Sequence, residues 1–214
     1  MGLPAVFIRH MTGSTPPAMI SLVFASHNAH KAQEIQAIAG EFLQIRSLAD
    51  LGYTEDIPEP HATLEANASE KSRVVFRHTG LDCFSEDSGL EVVALHGAPG
   101  VHSARFAGES KDFGQNVRKL LREMEGKSDR RARFRAVISL IWKGKESQFE
   151  GICEGRISGK AQGQAGFGYD PVFIPEGSES SFAQMSLEEK NRYSHRRMAI
   201  QKMIDYLVNL GRKY

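Results

Sequence analysis

In the run CFSEDSGLEV, residues 83 to 92, Glu86 and Asp87 follow an apolar stretch and lead into Ser88 and Gly89. Like charges this close repel, which raises one pKa or calls for a cation between them. The pair is therefore either a solvated acidic turn or a cation site, and its own residues do not choose between the two. With Glu59 upstream, it offers hard oxygen ligands suited to magnesium, which takes one or two carboxylates together with water and substrate phosphates.

Three further clusters could do chemistry with it. SHNAHK, Ser26 to Lys31, stands where a strand hands over to a helix, so backbone N–H groups, the helix dipole and the Lys31 charge converge as they would on an anion. A capped helix with a solvated lysine has the same appearance. The chain has no GxxxxGK[ST] phosphate loop. SHRR, Ser194 to Arg197, puts cations at a helix start, where they oppose the dipole unless something anionic or acceptor-rich faces them; a solvated basic face is the plain alternative. GFGYDP, Gly166 to Pro171, joins aromatic rings, glycines and an acid, a combination suited to stacking on a planar base, although Phe167 and Tyr169 could equally be core. Taken jointly, a phosphate cradle, an acid group, a cationic helix start and an aromatic loop describe a nucleoside phosphate with magnesium.

The elements that must position these groups follow from hydrophobic period. SLVFA reads as a strand, followed by a helix capped at Asn28 and stopped at Gly40, then a strand over residues 42 to 48. A second helix runs from Thr63 to before Gly80, with Leu64, Ala68, Lys71 and Val75 on its stripe. LDCFS and GLEVVAL read as two short extended segments parted by the acid pair. Asp112 and Gln115 open a third helix. RARFRAVISLIW alternates as a strand, with Arg131, Arg133 and Arg135 on one solvated face, and residues 146 to 157 pair back as a hairpin. Caps at Ser186 and Ser194 open the last helices, with Met198, Ile204, Leu207 and Val208 as the final apolar stripe. The fold class is α/β: a mixed sheet flanked by helices, in one domain over residues 21 to 214 after a loose extension over 1 to 20.

Bulk composition limits the function classes. The 214 residues are 41% hydrophobic and 25% charged, ordinary for a soluble globular chain, and 27 Lys and Arg against 26 Asp and Glu give no global field for nucleic acid or membrane. Any anion site must be local. No run approaches the roughly 18 apolar residues needed to span a bilayer. Two isolated cysteines, Cys83 and Cys153, suggest neither zinc nor a disulfide framework, and a reducing cytoplasm is expected.

FASHNAHKAQE, EDSGLEVVALHGAPGVHSARFAG, GFGYDPVF and LEEKNRYSHRRMA, in this order between about Leu22 and Leu210, resemble the inosine triphosphate pyrophosphatase family. The resemblance implies an elongated two-lobed α/β fold with a cleft, a homodimer, and magnesium-dependent hydrolysis of ITP, dITP and XTP to the monophosphate and pyrophosphate. Residue by residue, it implies that Ser26, His27, Asn28, Ala29, His30 and Lys31 bind phosphate. Asp87 matches the proton acceptor and a metal ligand, Glu59 the metal-binding acid with Glu86 beside it, and Ser88 a substrate contact. Phe167, Gly168, Tyr169 and Asp170 match the base loop, and Lys190, His195 and Arg196 the remaining purine contacts. Arg105, in HSAR, is a further candidate for phosphates or base.

The chain departs from the family pattern at His27 and His30, where many relatives have glycine, at Glu86, where Asp is usual, and around Glu59, where EPHAT replaces ETG. A triphosphatase releasing the γ-phosphate is the nearest rival. A nucleic-acid module built on RRARFR and SHRR is the rival from another class; stable nucleic-acid binding and membrane association are not expected.

Overall fold

The computed structural model describes residues 19 to 40 and 42 to 211, so the extension expected over residues 1 to 20 lies, up to residue 18, outside the described residues. Strand β1 (Ile20–Phe24) leads to helix α1 (Ala29–Ala39) through Asn28, whose side chain accepts from the Lys31 N–H as the expected N-cap. Strand β2 (Leu43–Arg46) returns parallel to β1. Helix α2 (Leu64–Thr79) starts at a Thr63 cap and stops at Gly80 in the left-handed region.

The acid pair brings the main correction to the elements expected from the sequence. Instead of two segments parted by a turn, there is a single strand of 10 residues, β3 (Cys83–Val92), with Glu86 and Asp87 at its middle. It pairs antiparallel, residue for residue, with β4 (Arg131–Trp142). The ladder with β4 meets one edge of the backbone through the acidic stretch, Lys31 meets the Glu86 carbonyl at 3.4 Å, and cations carried on helices meet both carboxylates, so the charges need no solvated turn. Successive strand residues face opposite sides, so the two acids serve different faces of the sheet.

Strand β5 (Lys145–Ile157) folds back on β4 through Lys143 and Gly144, both at positive φ. A short β6 (Phe173–Pro175), not foreseen in the glycine-rich passage, closes the order β2-β1-β3-β4-β5-β6. The pairs β1/β2 and β1/β3 are parallel and the rest antiparallel, giving the mixed open sheet expected. Ala132, Phe134, Ala136, Ile138 and Leu140 alternate onto one face of β4 as the sequence predicts, but they enter two cores strung along the long strands. One core gathers Leu90, Val92 and Phe134 with helix α3 (Phe113–Glu123), Phe173 and Phe182. The other gathers Leu22, Phe84 and Ile138 with α1 and the last helix. On the reverse face, Arg133 and Arg135 are not simply solvated: Glu91, Glu65 and Glu150 pair with them.

Helix α4 (Leu187–Tyr193) has the expected capping box of Ser186 and Glu189, and α5 (His195–Gly211) follows after Ser194. The apolar stripe of α5 is rotated from the expected one: Ala199, Ile200, Met203 and Leu207 are buried, whereas Met198 is 40% exposed. The rotation is set where α5 meets β5 at Gly151. A Cβ there would stand 2.0 Å from the His195 carbonyl oxygen and 2.6 Å from the Ala199 nitrogen. Gly151→Ala is expected to push the first turn of α5 off the sheet and cost about 1–3 kcal/mol, the scale of overpacking, read as a lowered midpoint in urea; an unchanged midpoint would contradict the contact. Among the described residues no helix is long and apolar enough to cross a membrane.

Candidate active site

A cavity of about 480 Å³ is lined by the β1–α1 loop, Lys71 in the middle of α2, Asp87 to Gly89 in the middle of β3, the 167–170 loop, Lys190 of α4 and the start of α5. At one end Ser26, His27, Asn28 and Lys31 line it. No carboxylate lies in the first turn of α1, so the positive end of the helix is not neutralised from within. Ser26 Oγ accepts from the Asn28 N–H at 3.2 Å and Asn28 Oδ1 from the Lys31 N–H at 3.0 Å, which fixes the loop. His27 is held aside, its Nε2 3.0 Å from the Glu55 carbonyl, and His30 stacks on Phe167 with ring centroids 5.1 Å apart.

Beside this anion-attracting end, Asp87 and Glu59 both bind the Lys71 ammonium at 2.8 Å. Burial pushes the Asp87 carboxyl above its ordinary pKa, and Lys71 and Lys31 offset that only in part. Glu59 moves the other way: burial opposes its charge, but Lys71, Lys31 and Arg105 outweigh it and lower the pKa. Two hard carboxylates converging on one cationic point fit magnesium held jointly with substrate phosphates. They do not make a protein-only cage, since no group of three or more His, Cys, Asp or Glu able to hold a metal occurs among the described residues. Arg105 bonds Glu59 at 3.4 Å and also lines the cavity.

Glu86 departs from its expected place with the metal-binding acids. It does not line the cavity; it is fully buried on the opposite side of β3, with Oε1 3.1 Å from Arg196 and Oε2 3.1 Å from Lys31. Burial opposes its charge, yet Arg196 and Lys31 hold its pKa far below the usual carboxylate range. The cationic helix start thus faces the protein's own anions. Glu34 of α1 binds Arg196 through one oxygen and Lys190, at 2.7 Å, through the other, and Lys190 reaches Asp170 at 2.6 Å. Asp170, Lys190, Glu34, Arg196, Glu86 and Lys31 form one buried chain of alternating charge from the aromatic loop to the phosphate end.

At the aromatic end the four loop residues divide their work. Asp170 is buried and accepts from the Phe167 N–H at 2.9 Å, while Gly166 at φ +75° leaves room that a Cβ, 2.0 Å from Asp170 Oδ2, would fill. Tyr169 is core, its hydroxyl donating to the Ser103 carbonyl at 2.8 Å. Gly168 turns the chain at φ +62°, leaving Phe167 as the ring that faces the ligand space, with Arg196 5.6 Å and Lys190 5.3 Å from its centroid. His195 lies flat on Phe134, 4.8 Å between centroids, and burial with the neighbouring Arg196 pushes its pKa well below the ordinary value, so the imidazole is neutral. Its Nδ1 and the Nε of Arg196 are buried without a hydrogen-bond partner. Both residues line the cavity.

Of the expected residues, Ser26, His27, Asn28, Lys31, Glu59, Asp87, Ser88, Arg105, Phe167, Gly168, Tyr169, Asp170, Lys190, His195 and Arg196 line this cavity, and Ala29, His30 and Glu86 do not. Lys71 and Glu34 were missed. A lysine on the apolar stripe of α2 was the signal for the first, since a buried ammonium requires anions. For the second it was a carboxylate one turn beyond Lys31 on the same helix face.

The Ham1 family model matches residues 22–206. The dITP/XTP pyrophosphatase of Christiangramia forsetii is 47% identical over 188 residues, covering 88% of this chain and 99% of that protein. The dITP/XTP pyrophosphatase of Porphyromonas gingivalis is 48% identical over 191 residues, 89% of this chain and 98% of that one. Among solved structures, the Staphylococcus aureus Ham1 protein superposes with a TM-score of 0.80 at 36% identity, covering 88% of this chain and 98% of its own. A HAM1 protein from Coxiella burnetii gives 0.81 at 33%, covering 89% and 100%. With a family model matching residues 22–206 and relatives 47–48% identical over 88–89% of its length, this chain belongs to the Ham1 family.

Proposed function

We propose that the chain hydrolyses the non-standard purine nucleoside triphosphates ITP, dITP and XTP to the monophosphate and pyrophosphate, clearing them from the pool that feeds DNA and RNA synthesis. The observation that carries the base assignment is the pair of buried, unpartnered atoms, His195 Nδ1 and Arg196 Nε, in the cavity wall beside Phe167. Leaving such atoms unmet costs about 1–3 kcal/mol each, a cost that a ligand would relieve. Arginine is donor-only, so its Nε–H suits the O6 acceptor of hypoxanthine or xanthine and is left facing donors when adenine presents its 6-amino group. The neutral His195 ring can present a donor or an acceptor to the same edge. The name carried by the relatives, dITP/XTP pyrophosphatase, supports dITP and XTP among these substrates.

With the base there, the triphosphate extends toward the start of α1 and Lys31, whose charge opposes the negative charge growing on the phosphates. Asp87 takes a proton from the attacking water; a bond forms from that oxygen to the α-phosphorus and the α–β anhydride bond breaks, pyrophosphate carrying away the electron pair. Glu59 and Asp87 would hold magnesium, which supplies further charge neutralisation at the phosphates. Lys71 favours the ionised form of both acids and, bonded to each, holds them toward one point. Homodimerisation, implied by the motif resemblance, and a cytoplasmic location, suited to the free, buried Cys83 and Cys153, belong to the same proposal.

A panel of ITP, dITP, XTP, GTP and ATP, with and without magnesium, is expected to release pyrophosphate from the first three in the presence of the metal. Orthophosphate as the first product would favour the γ-phosphatase rival, and equal turnover of ATP would sink the base assignment.

A further inference from the structure

Glu34 touches neither the phosphate loop backbone nor, in any observed contact, the cavity, yet it is the point where both ends of the site meet. It sits three residues after Lys31, on the same face of α1, and is 6% exposed. One oxygen takes Lys190 and the other Arg196 NH1, while Arg196 NH2 goes to Glu86 and, at 3.4 Å, to Ser88 Oγ, so that both terminal nitrogens are engaged. A guanidinium is planar with its nitrogens in a fixed fork, so holding both terminal nitrogens also sets the direction of Nε. That nitrogen is the one left without a partner.

We propose that Glu34 is a positioning residue for base selectivity: together with Glu86 it locks the Arg196 fork so that Nε–H is the one unengaged donor left for the purine. Because it is built on the helix that carries the phosphate-binding end, it also fixes the span between that end and the base-reading donor. The inference rests on the nucleoside triphosphate reading above. Without the Glu34 charge, NH1 is released and becomes a second, movable donor. The site then has more than one way to meet a base edge, and an N6 amino group is excluded less well. Lys190 loses its second carboxylate at the same time, which loosens the aromatic loop through Asp170.

The test compares wild type with Glu34→Gln, which keeps the volume and one acceptor but removes the charge. The ratio of kcat/KM for ITP over ATP is expected to fall by about tenfold or more, the scale of one misplaced donor. Thermal protection by inosine monophosphate is expected to shrink, while protection by pyrophosphate stays as in wild type. A purely structural role would lower both protections together, and that result, or an unchanged ITP-to-ATP ratio, overturns the positioning role. Should Glu34→Gln not fold, Glu34→Asp retracts the carboxylate by one methylene with its charge retained, and an unchanged ratio in that variant is equally fatal. Wild-type protein that releases no pyrophosphate from ITP would overturn the nucleotide reading itself, which is a different failure from a selective wild type matched by an equally selective variant.

Discussion

Asp87→Asn is expected to cut pyrophosphate release from ITP by about 10²- to 10⁴-fold, the usual contribution of a positioned general base. The substitution is nearly isosteric and leaves Lys71 bound to Glu59, so the fold should hold. Base selectivity should also survive in whatever turnover remains, because Arg196 is held by Glu34 and Glu86 and His195 by its stacking on Phe134, neither of them by Asp87. Wild-type activity requires the ionised carboxylate. Burial raises the Asp87 pKa, so the acid-side loss of kcat/KM should begin at higher pH than an ordinary aspartate would give, with activity present above that pKa and lost below it. The residual activity of the variant should lack this acid limb. Near-normal turnover of the variant, or an acid limb that persists in it, would remove Asp87 from the role of base.

Most of the fold was legible because local signals agreed with tertiary demands: the Asn28 and Ser186 caps, the helix start at Thr63, the alternation of β4 and its hairpin to β5 all appear where the residues predict them. The reading failed where a charged residue was buried. Periodicity treats Glu86 and Asp87 as a break in an apolar run, whereas the strand continues through them because helices on its two faces bring Arg196 and Lys71 to meet them. Those partners are 110 and 16 residues away in sequence, and no local pattern shows such pairing. Most of the site residues that motif resemblance named therefore emerged as members of the cavity, Ala29, His30 and Glu86 excepted, while the residues that hold them, Glu34 and Lys71, were not foreseen. The departure at Glu86 also acquires a physical meaning: its carboxylate spans Arg196 and Lys31, a bridging task toward which the longer side chain supplies reach.

That buried chain gives the largest expected effect on stability. Arg196→Met keeps a long side chain in a fully buried position but withdraws the cation shared by Glu34 and Glu86. Breaking one partner out of a buried ion pair costs about 3–5 kcal/mol, because the remaining charge stays desolvated. For a chain of this size the melting midpoint should fall by on the order of 10 °C. The pH dependence separates this cause from lost packing. In the wild type, folding depresses the pKa of Glu86 and Glu34, so their contribution is fully present above the unfolded carboxylate value and is lost only as pH falls through the depressed folded values. In the variant, Glu86 keeps its burial and loses its chief cation, so its folded pKa should rise; the penalty is then greatest at neutral pH and fades on acidification, as the carboxyl takes up a proton and no longer needs a partner. Chemical denaturation of both proteins from pH 7 to pH 4 should show their stabilities converging. A gap that stays constant across that range would mean that Arg196 acts through packing alone.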